Sequence, residues 1–331
     1  MINRILIYNS GGGIGDALQT LPLINTLKNE FKNSNFFYLC AHENHFNLSL
    51  KDLNCHIETL NLDIKYFGFR WWHSLILKAR INKYTIEKFD LIIDLQSKIR
   101  NSLILKMIPH KYFISSCFNF KFSKPSLSIK KTNKINYSIL QAVNSILNTN
   151  CKLIDYNINN IEDKFITESE KLLPKNNYIG FSITQGNVYR KKQWPLNNIV
   201  NLCNKLKKNN KTPVFFIEKK SKKLKNKIQK LIPFSLFPEH ESNLSSPALV
   251  TCLGKRLDFA VTIDNGVMHM LSLSKVSMIS LFGPTDAAKF APEYKKSIVL
   301  DSKKLYNTKN ISAITVEDVL QAVKQHLNFS Y

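Results

Sequence analysis

The sequence predicts two doubly wound α/β domains facing each other across a cleft. Three observations carry this. At 331 residues the chain exceeds the size at which one hydrophobic core is usual. Short β-branched and aromatic runs alternate with longer segments of helical spacing, the pattern of a parallel sheet wrapped by helices. The alternation is interrupted by the polar stretch Asp155-Tyr156-Asn157-Ile158-Asn159-Asn160-Ile161-Glu162-Asp163, which reads as a connector.

Taken in order, strands are expected at 4–8, 36–40, 57–60, 91–95 and 112–115 in the first half. The second half offers 178–183, 213–217, 234–237, 260–263 and 277–282. The domain limits that follow are 1–155 and 165–312. A closing helix is expected over 315–327, with Val316, Val319, Leu320, Val323 and Leu327 on one stripe. The terminal segment 313–331 is expected to pack back toward the N-terminal domain.

Composition narrows the class. With 44% hydrophobic residues the chain reads as globular. It shows no signal peptide and no stretch of roughly 20 apolar residues that would cross a membrane, so a cytoplasmic location is expected. Six scattered cysteines without a C-x-x-C pair are expected as reduced thiols. No H-E-x-x-H is present, and the close pair His42 and His45 lacks a nearby third ligand, so no metal site is expected. The formal charge of +23 would suit nucleic acid, an anionic membrane or phosphorylated substrates. The lysines are dispersed, however, within a composition rich in Lys, Asn, Ile, Phe and Tyr. No nucleic-acid-binding motif accompanies them, and no nucleic acid partner is expected.

Three segments carry chemistry. The first expected strand feeds Gly11-Gly12-Gly13-Ile14-Gly15-Asp16, a turn whose amides open toward a ligand at the C-terminal edge of a sheet. The dinucleotide fingerprint G-x-G-x-x-G fails at its last glycine, where Asp16 or Leu18 stands. Asp16 either caps the following helix or serves as a general base toward an attacking hydroxyl. The second segment, Thr184-Gln185-Gly186 through Arg190-Lys191-Lys192-Gln193-Trp194-Pro195, brings amides, a hydroxyl and three cations to a strand end. A helix is expected to begin near Pro195. This would cradle a diphosphate. The third is Asp264-Asn265-Gly266-Val267-Met268-His269, followed by Phe282-Gly283-Pro284-Thr285-Asp286. His269 falls in the first turn of an expected helix, where free amides favour an anion; a purely structural histidine is the alternative.

Gly15-Asp16 through Leu21-Pro22, Lys192-Gln193-Trp194-Pro195, Asp264 to His269 and Phe282 to Asp286 resemble the G-D…L-P, K-x-W-P, D-T-G-x-x-H and F-G-P-T-D motifs of the heptosyltransferases, glycosyltransferase family 9, in their order and spacing. The resemblance implies a GT-B architecture of two Rossmann-like domains. The N-terminal one would bind the acceptor and the C-terminal one the donor. It further implies an inverting mechanism without metal or other cofactor, and a nucleotide-diphosphate sugar donor, ADP-heptose in the best-known members. The acceptor would be a glycolipid of the lipopolysaccharide core or a related envelope glycan. Carried over, Asp16 would be the base, with Gly13 and Gly15 in its acceptor-side loop, and Lys192 would neutralise the departing diphosphate. Thr184, Gln185, Gly186, Asp264, Asn265, Gly266 and His269 would line the donor pocket, framed by Gly283, Pro284 and Thr285.

Two departures stand out. Asn265 replaces the usual threonine, and Glu218, the donor-binding candidate for the ribose, follows the expected strand directly where the family tends to place glycine and then a ribose-binding glutamate. The segment from Tyr66 to Arg80 mixes aromatics with cations and suits either peripheral contact with the inner membrane or a helix with a basic outer face. Intact Asp16 and Lys192 favour an enzyme over a catalytically silent binder of nucleotide sugars or glycans on the same fold.

Overall fold

The computed structural model describes residues 2–186 and 188–327, with the backbone alone for Val188, His326 and Leu327. The chain divides into two compact units between Tyr156 and Asn157. The expected connector therefore splits, and its second half belongs to the second unit.

The first unit runs β1 (Arg4–Asn9), α1 (Ile14–Glu30), β2 (Asn35–Cys40), β3 (Glu58–Thr59), α2 (His73–Lys83), β4 (Phe89–Asp94), α3 (Ile99–Leu105), β5 (His110–Ser115) and α4 (Ile135–Leu147). Its strands order β3-β2-β1-β4-β5, every pair parallel. Helices cover both faces of such a sheet, so its central strands read as unbroken apolar runs. In β1, Ile5, Leu6, Ile7 and Tyr8 are all fully buried. Strand order reverses between β1 and β4, and the loops leaving their C-terminal ends meet there, the position where open α/β sheets bind ligands.

The second unit runs α5 (Asp163–Leu172), β6 (Tyr178–Ser182), α6 (Leu196–Lys207), β7 (Thr212–Phe215), α7 (Lys222–Leu231), α8 (Pro238–Glu241), α9 (Pro247–Gly254), β8 (Leu257–Ile263), α10 (Gly266–Leu273), β9 (Met278–Phe282), α11 (Ala287–Phe290), β10 (Ser297–Asp301), α12 (Ser302–Tyr306) and α13 (Val316–Leu327). Its parallel sheet orders β10-β9-β8-β6-β7. The reversal falls between β6 and β8, so the loops after these two strands lie side by side.

Two expectations change. Residues 234–237 form no strand: Leu236 alone bridges to Val214, because Pro233 and Pro238 on either side cannot donate to a ladder. A fifth strand, β10, lies instead at the opposite edge, where it is half-exposed and its apolar run is too short to stand out. The terminal helix α13 packs against α6, β9 and β10 of the second unit. Val316, Val319 and Val323 are buried in the core that holds Trp194, Ile311 and Ile314, with Leu320 packed at its margin. The apolar stripe thus finds its partner in the adjacent sheet face; Leu327's side chain lies outside the described residues. Thr315 and Asp318 close a reciprocal cap at the helix start, Asp318 N–H donating to Thr315 Oγ1 at 3.1 Å and Thr315 N–H to Asp318 Oδ2 at 2.7 Å. None of the six cysteines is paired. Among the described residues no helix is long and apolar enough to cross a membrane.

Candidate active site

In the first unit the site begins at the end of β1. Asn9 Oδ1 accepts the Gly11 N–H at 2.9 Å and the Gln96 side-chain amide at 3.0 Å, tying the glycine turn to the loop after β4. Gly13 is the N-cap of α1, followed by Ile14, Gly15 and Asp16 at its third position. Asp16 Oδ2 accepts the Gly13 N–H at 3.3 Å, so the capping role open to this residue is realised. Space explains the neighbouring glycines. A Cβ on Gly11 would lie 2.6 Å from Asp16 Cβ, and one on Gly12 would lie 2.3 Å from the His42 ring.

Beside this turn is a cavity of about 680 Å³ lined by Gly12, His42, His45, Asp63, Lys65 and Tyr66, among others. A second, of about 710 Å³, shares His42, Lys65 and Tyr66 and adds Phe69, Arg70, Trp72, His73 and Arg100. Among the described residues no carboxylate lines the second cavity. Its wall is fixed from the core outward. Tyr8 Oη donates to Phe67 O at 2.8 Å, Arg100 Nε to Gly68 O at 2.8 Å, and Gly68 N–H to His73 Nδ1 at 3.2 Å. Gly68 adopts φ +83°, and a Cβ there would meet Tyr8 Oη at 2.7 Å. Burial, then the charges of Arg100 and Arg70, hold the His73 imidazole below its usual pKa. The field in this cavity is positive.

In the second unit the loops after β6 and β8 interlock. Lys192 Nζ lies 2.5 Å from Asp264 Oδ2 and 3.2 Å from Asp264 O, a nearly buried pair with side chains 12% and 8% exposed. Two of its three N–H donors are thereby committed to Asp264. The Lys192 N–H donates to Gln185 Oε1 at 2.9 Å, and Lys191 adopts φ +47° to make the turn. Asn265 is the hub. Its Oδ1 accepts the Met268 N–H at 2.9 Å as N-cap of α10, and its Nδ2 donates to Thr184 O at 2.7 Å and Ser182 Oγ at 2.6 Å. Gly266 opens α10, and His269 is buried in the first turn and a half.

The loop after β9 brings Gly283, Pro284 and Thr285 to the neighbouring strand end. Thr285 Oγ1 is buried and has no hydrogen-bond partner, while Thr285 O accepts from Lys303 Nζ at 2.6 Å. Gly283 is required by packing: a Cβ there would lie 2.8 Å from Ile311 N and Cβ. Asp286 caps α11 through the Ala288 N–H at 3.0 Å. Trp194 anchors the far end of the Lys192 loop, its Nε1 donating to Ile314 O at 2.8 Å. The helix beyond begins at Leu196, with Pro195 as its N-cap. Asn187 lies outside the described residues.

Glu218 stands apart from this cluster, its side chain 62% exposed and paired with Lys220 at 2.5 Å. Sequence reasoning passed over its neighbour Glu239, which is buried with Oε2 unpartnered. Burial, reinforced by the Glu218 charge, pushes the Glu239 carboxyl up to about 7. The signal was faint: an acid directly after Phe237-Pro238, at the end of an apolar run. The stretch at 65–73, expected as a membrane-contact or basic helix segment, also walls a cavity, which its aromatic–basic spacing does not reveal because nothing in it says which side chains turn inward.

The family model for glycosyltransferase family 9 (heptosyltransferase) matches residues 79–320. The chain belongs to glycosyltransferase family 9. The match runs from α2 into α13 and takes in the whole β6–β8 constellation; the Gly11–Asp16 turn precedes it. Among solved structures, a family 9 glycosyltransferase from Veillonella parvula superposes with a TM-score of 0.70 at 18% identity, covering 99% of this chain and 98% of that one. Escherichia coli heptosyltransferase WaaC with ADP gives 0.68 at 15% identity, covering 98% and 99%. E. coli ADP-heptose lipopolysaccharide heptosyltransferase II gives 0.65 at 16%, covering 98% of each. No curated protein matches the chain in sequence. The fold is that of the GT-B glycosyltransferases, and the family makes the protein a glycosyltransferase.

Proposed function

We propose that the chain is an inverting, metal-independent transferase. It moves heptose or a related sugar from an ADP-sugar, or another nucleotide-diphosphate sugar, to a hydroxyl of a lipopolysaccharide-core or related envelope glycolipid. One observation carries the donor side of this reading: Lys192, Asp264, Asn265 and the N-terminus of α10 are joined in one hydrogen-bonded cluster at the switch point of the second sheet. A departing diphosphate needs cationic donors and aligned amides; the third N–H of Lys192, beyond the two committed to Asp264, and the start of α10 would supply them. The unpartnered Thr285 hydroxyl suits a phosphate oxygen. Glu218 and the buried Glu239 sit past the end of β7, beside β6, and suit the hydroxyls of the nucleoside. The solved neighbour WaaC, with ADP and with ADP-2-deoxy-2-fluoro heptose, supports an adenine nucleotide.

In the reaction Asp16 takes the proton of the acceptor hydroxyl. The acceptor oxygen forms a bond to the anomeric carbon as the bond from that carbon to the β-phosphate oxygen breaks, with inversion. The nucleoside diphosphate leaves against Lys192. The second cavity of the first unit, lined by Lys65, Arg70 and Arg100, suits an acceptor that carries a phosphate or carboxylate.

The realised cap at Asp16 keeps one alternative in play, a silent binder in which Asp16 only closes α1. Asp16→Asn separates the two, because an asparagine oxygen can still accept the Gly13 N–H. The transferase reading expects turnover to fall by roughly a thousandfold or more with donor affinity, read by calorimetry, unchanged. A wild-type chain that binds ADP-sugar but transfers nothing to any lipopolysaccharide-core acceptor would establish the binder instead. Titration with ADP-, UDP- and GDP-linked sugars identifies the donor.

A further inference from the structure

The first unit carries an apolar surface that its own core does not use. Trp71, Trp72 and Leu75 are 58%, 57% and 75% exposed, and Ile76 beside them is also exposed. Helix α2 turns His73 and Leu77 inward, so Leu75 and Ile76 lie on its outer face, and Trp71 and Trp72 stand in the turn that leads into it. Helix α3 packs next to α2 and presents exposed Ile99 and Leu103, with exposed Met107 in the turn that follows it. A monomer seldom leaves so many large apolar side chains clustered in water.

The charge around this surface is one-sided. No acidic residue occurs between Asp63 and Glu87, nor between Asp94 and Asp155. The same segments supply Arg70, Lys78, Lys83, Lys98 and Lys106 on or beside α2 and α3. The surface is also continuous with the basic cavity of the first unit, since Arg70 and Trp72 line that cavity while Trp71 and Leu75 follow on the outer face. Tryptophans with flanking cations and no acids match the headgroup region of an anionic bilayer, with rings at the interface and ammonium groups on the phosphates.

We propose that the α2–α3 face docks onto an anionic lipid bilayer and sets the mouth of the basic cavity at headgroup level. A glycolipid can then stay anchored while its sugar enters the cavity. The inference rests on the acceptor reading above for its purpose, but its test needs neither donor nor acceptor, so failure of one does not entail failure of the other.

The full chain is mixed with phosphatidylcholine vesicles containing phosphatidylglycerol and, separately, with pure phosphatidylcholine vesicles. The sequence has 3 tryptophans, and Trp194 is buried, so a blue shift in emission reports Trp71 and Trp72. The expected result is co-sedimentation and a blue shift with the anionic vesicles, both weakened by salt. Trp71→Ser with Leu75→Ser should lower vesicle affinity by roughly tenfold or more. Leu103→Ser with Met107→Ser, away from the cavity, should lower it by several-fold while transfer to a soluble acceptor fragment persists. Absence of wild-type binding, or wild-type affinity retained by both double variants, overturns the proposal. So does light scattering that finds a wild-type dimer which the Trp71 and Leu75 changes dissociate, because the face would then be a subunit interface.

Discussion

Asn265 shows how one side chain can assemble a site. Its amide caps α10 and holds the β6 loop by two further hydrogen bonds, a reach that a threonine at this position lacks. Asn265→Ala should cost about 1–2 kcal/mol from the lost cap and weaken donor binding at least roughly tenfold, measured by thermal melting and calorimetry. Asn265→Thr should recover most of the stability and less of the binding. Glu239 makes a prediction with a definite sign. Its pKa rises from 4.5 to about 7 in the folded chain, so the folded state holds this proton more tightly than the unfolded state. The contribution to stability is complete below 4.5 and declines as pH climbs through 7, by about 3 kcal/mol in all. Glu239→Gln should flatten that slope between these limits in denaturant titrations. Gly12→Ala, whose new Cβ would strike the His42 ring at 2.3 Å, should distort the first cavity and lower turnover.

Among the elements, the strands of both sheets were legible except one at an edge, β10; the other edge strands, β3, β5 and β7, fall where short apolar runs predict them. The runs that became β1, β4, β6, β8 and β9 are continuous apolar stretches because helices cover both sheet faces. By contrast β10 lies at an edge with Val299 exposed, and 234–237 looked like a strand only until its flanking prolines were weighed. Helix α13 was recognisable by its stripe, yet a stripe specifies an apolar partner without specifying which one. The core around Trp194 and Ile314 turned out to be that partner. Trp194→Phe keeps the ring and removes the hydrogen bond to Ile314 O. It should cost about 1 kcal/mol of stability and lower donor affinity more than the melting temperature alone would suggest.

For the whole molecule, the donor-side residues were readable because short motifs sit at sheet switch points, where topology brings distant loops together. Lys192 and Asp264, seventy-two positions apart, meet for that reason. The basic cavity was not readable, since most of its wall comes from irregular chain between β3 and α2 whose inward side chains follow no period, completed by His42, His73 and Arg100 from other segments. Charge supplies a test at this scale. If the diphosphate is held by Lys192 and helix amides, turnover should persist in excess EDTA and donor affinity should fall with ionic strength. Loss of activity on chelation, restored by a divalent ion, would assign that duty to a metal.

The segment bearing Lys192 is fastened at both ends, to Asn265 through Thr184 and to Ile314 through the indole of Trp194. Folding itself therefore meets the entropy of shaping it, and little rearrangement is left for the encounter with nucleotide. In deuterated buffer the Lys192 amide, already bonded to Gln185, should exchange at the slow pace of the surrounding β-sheet even when no nucleotide is present.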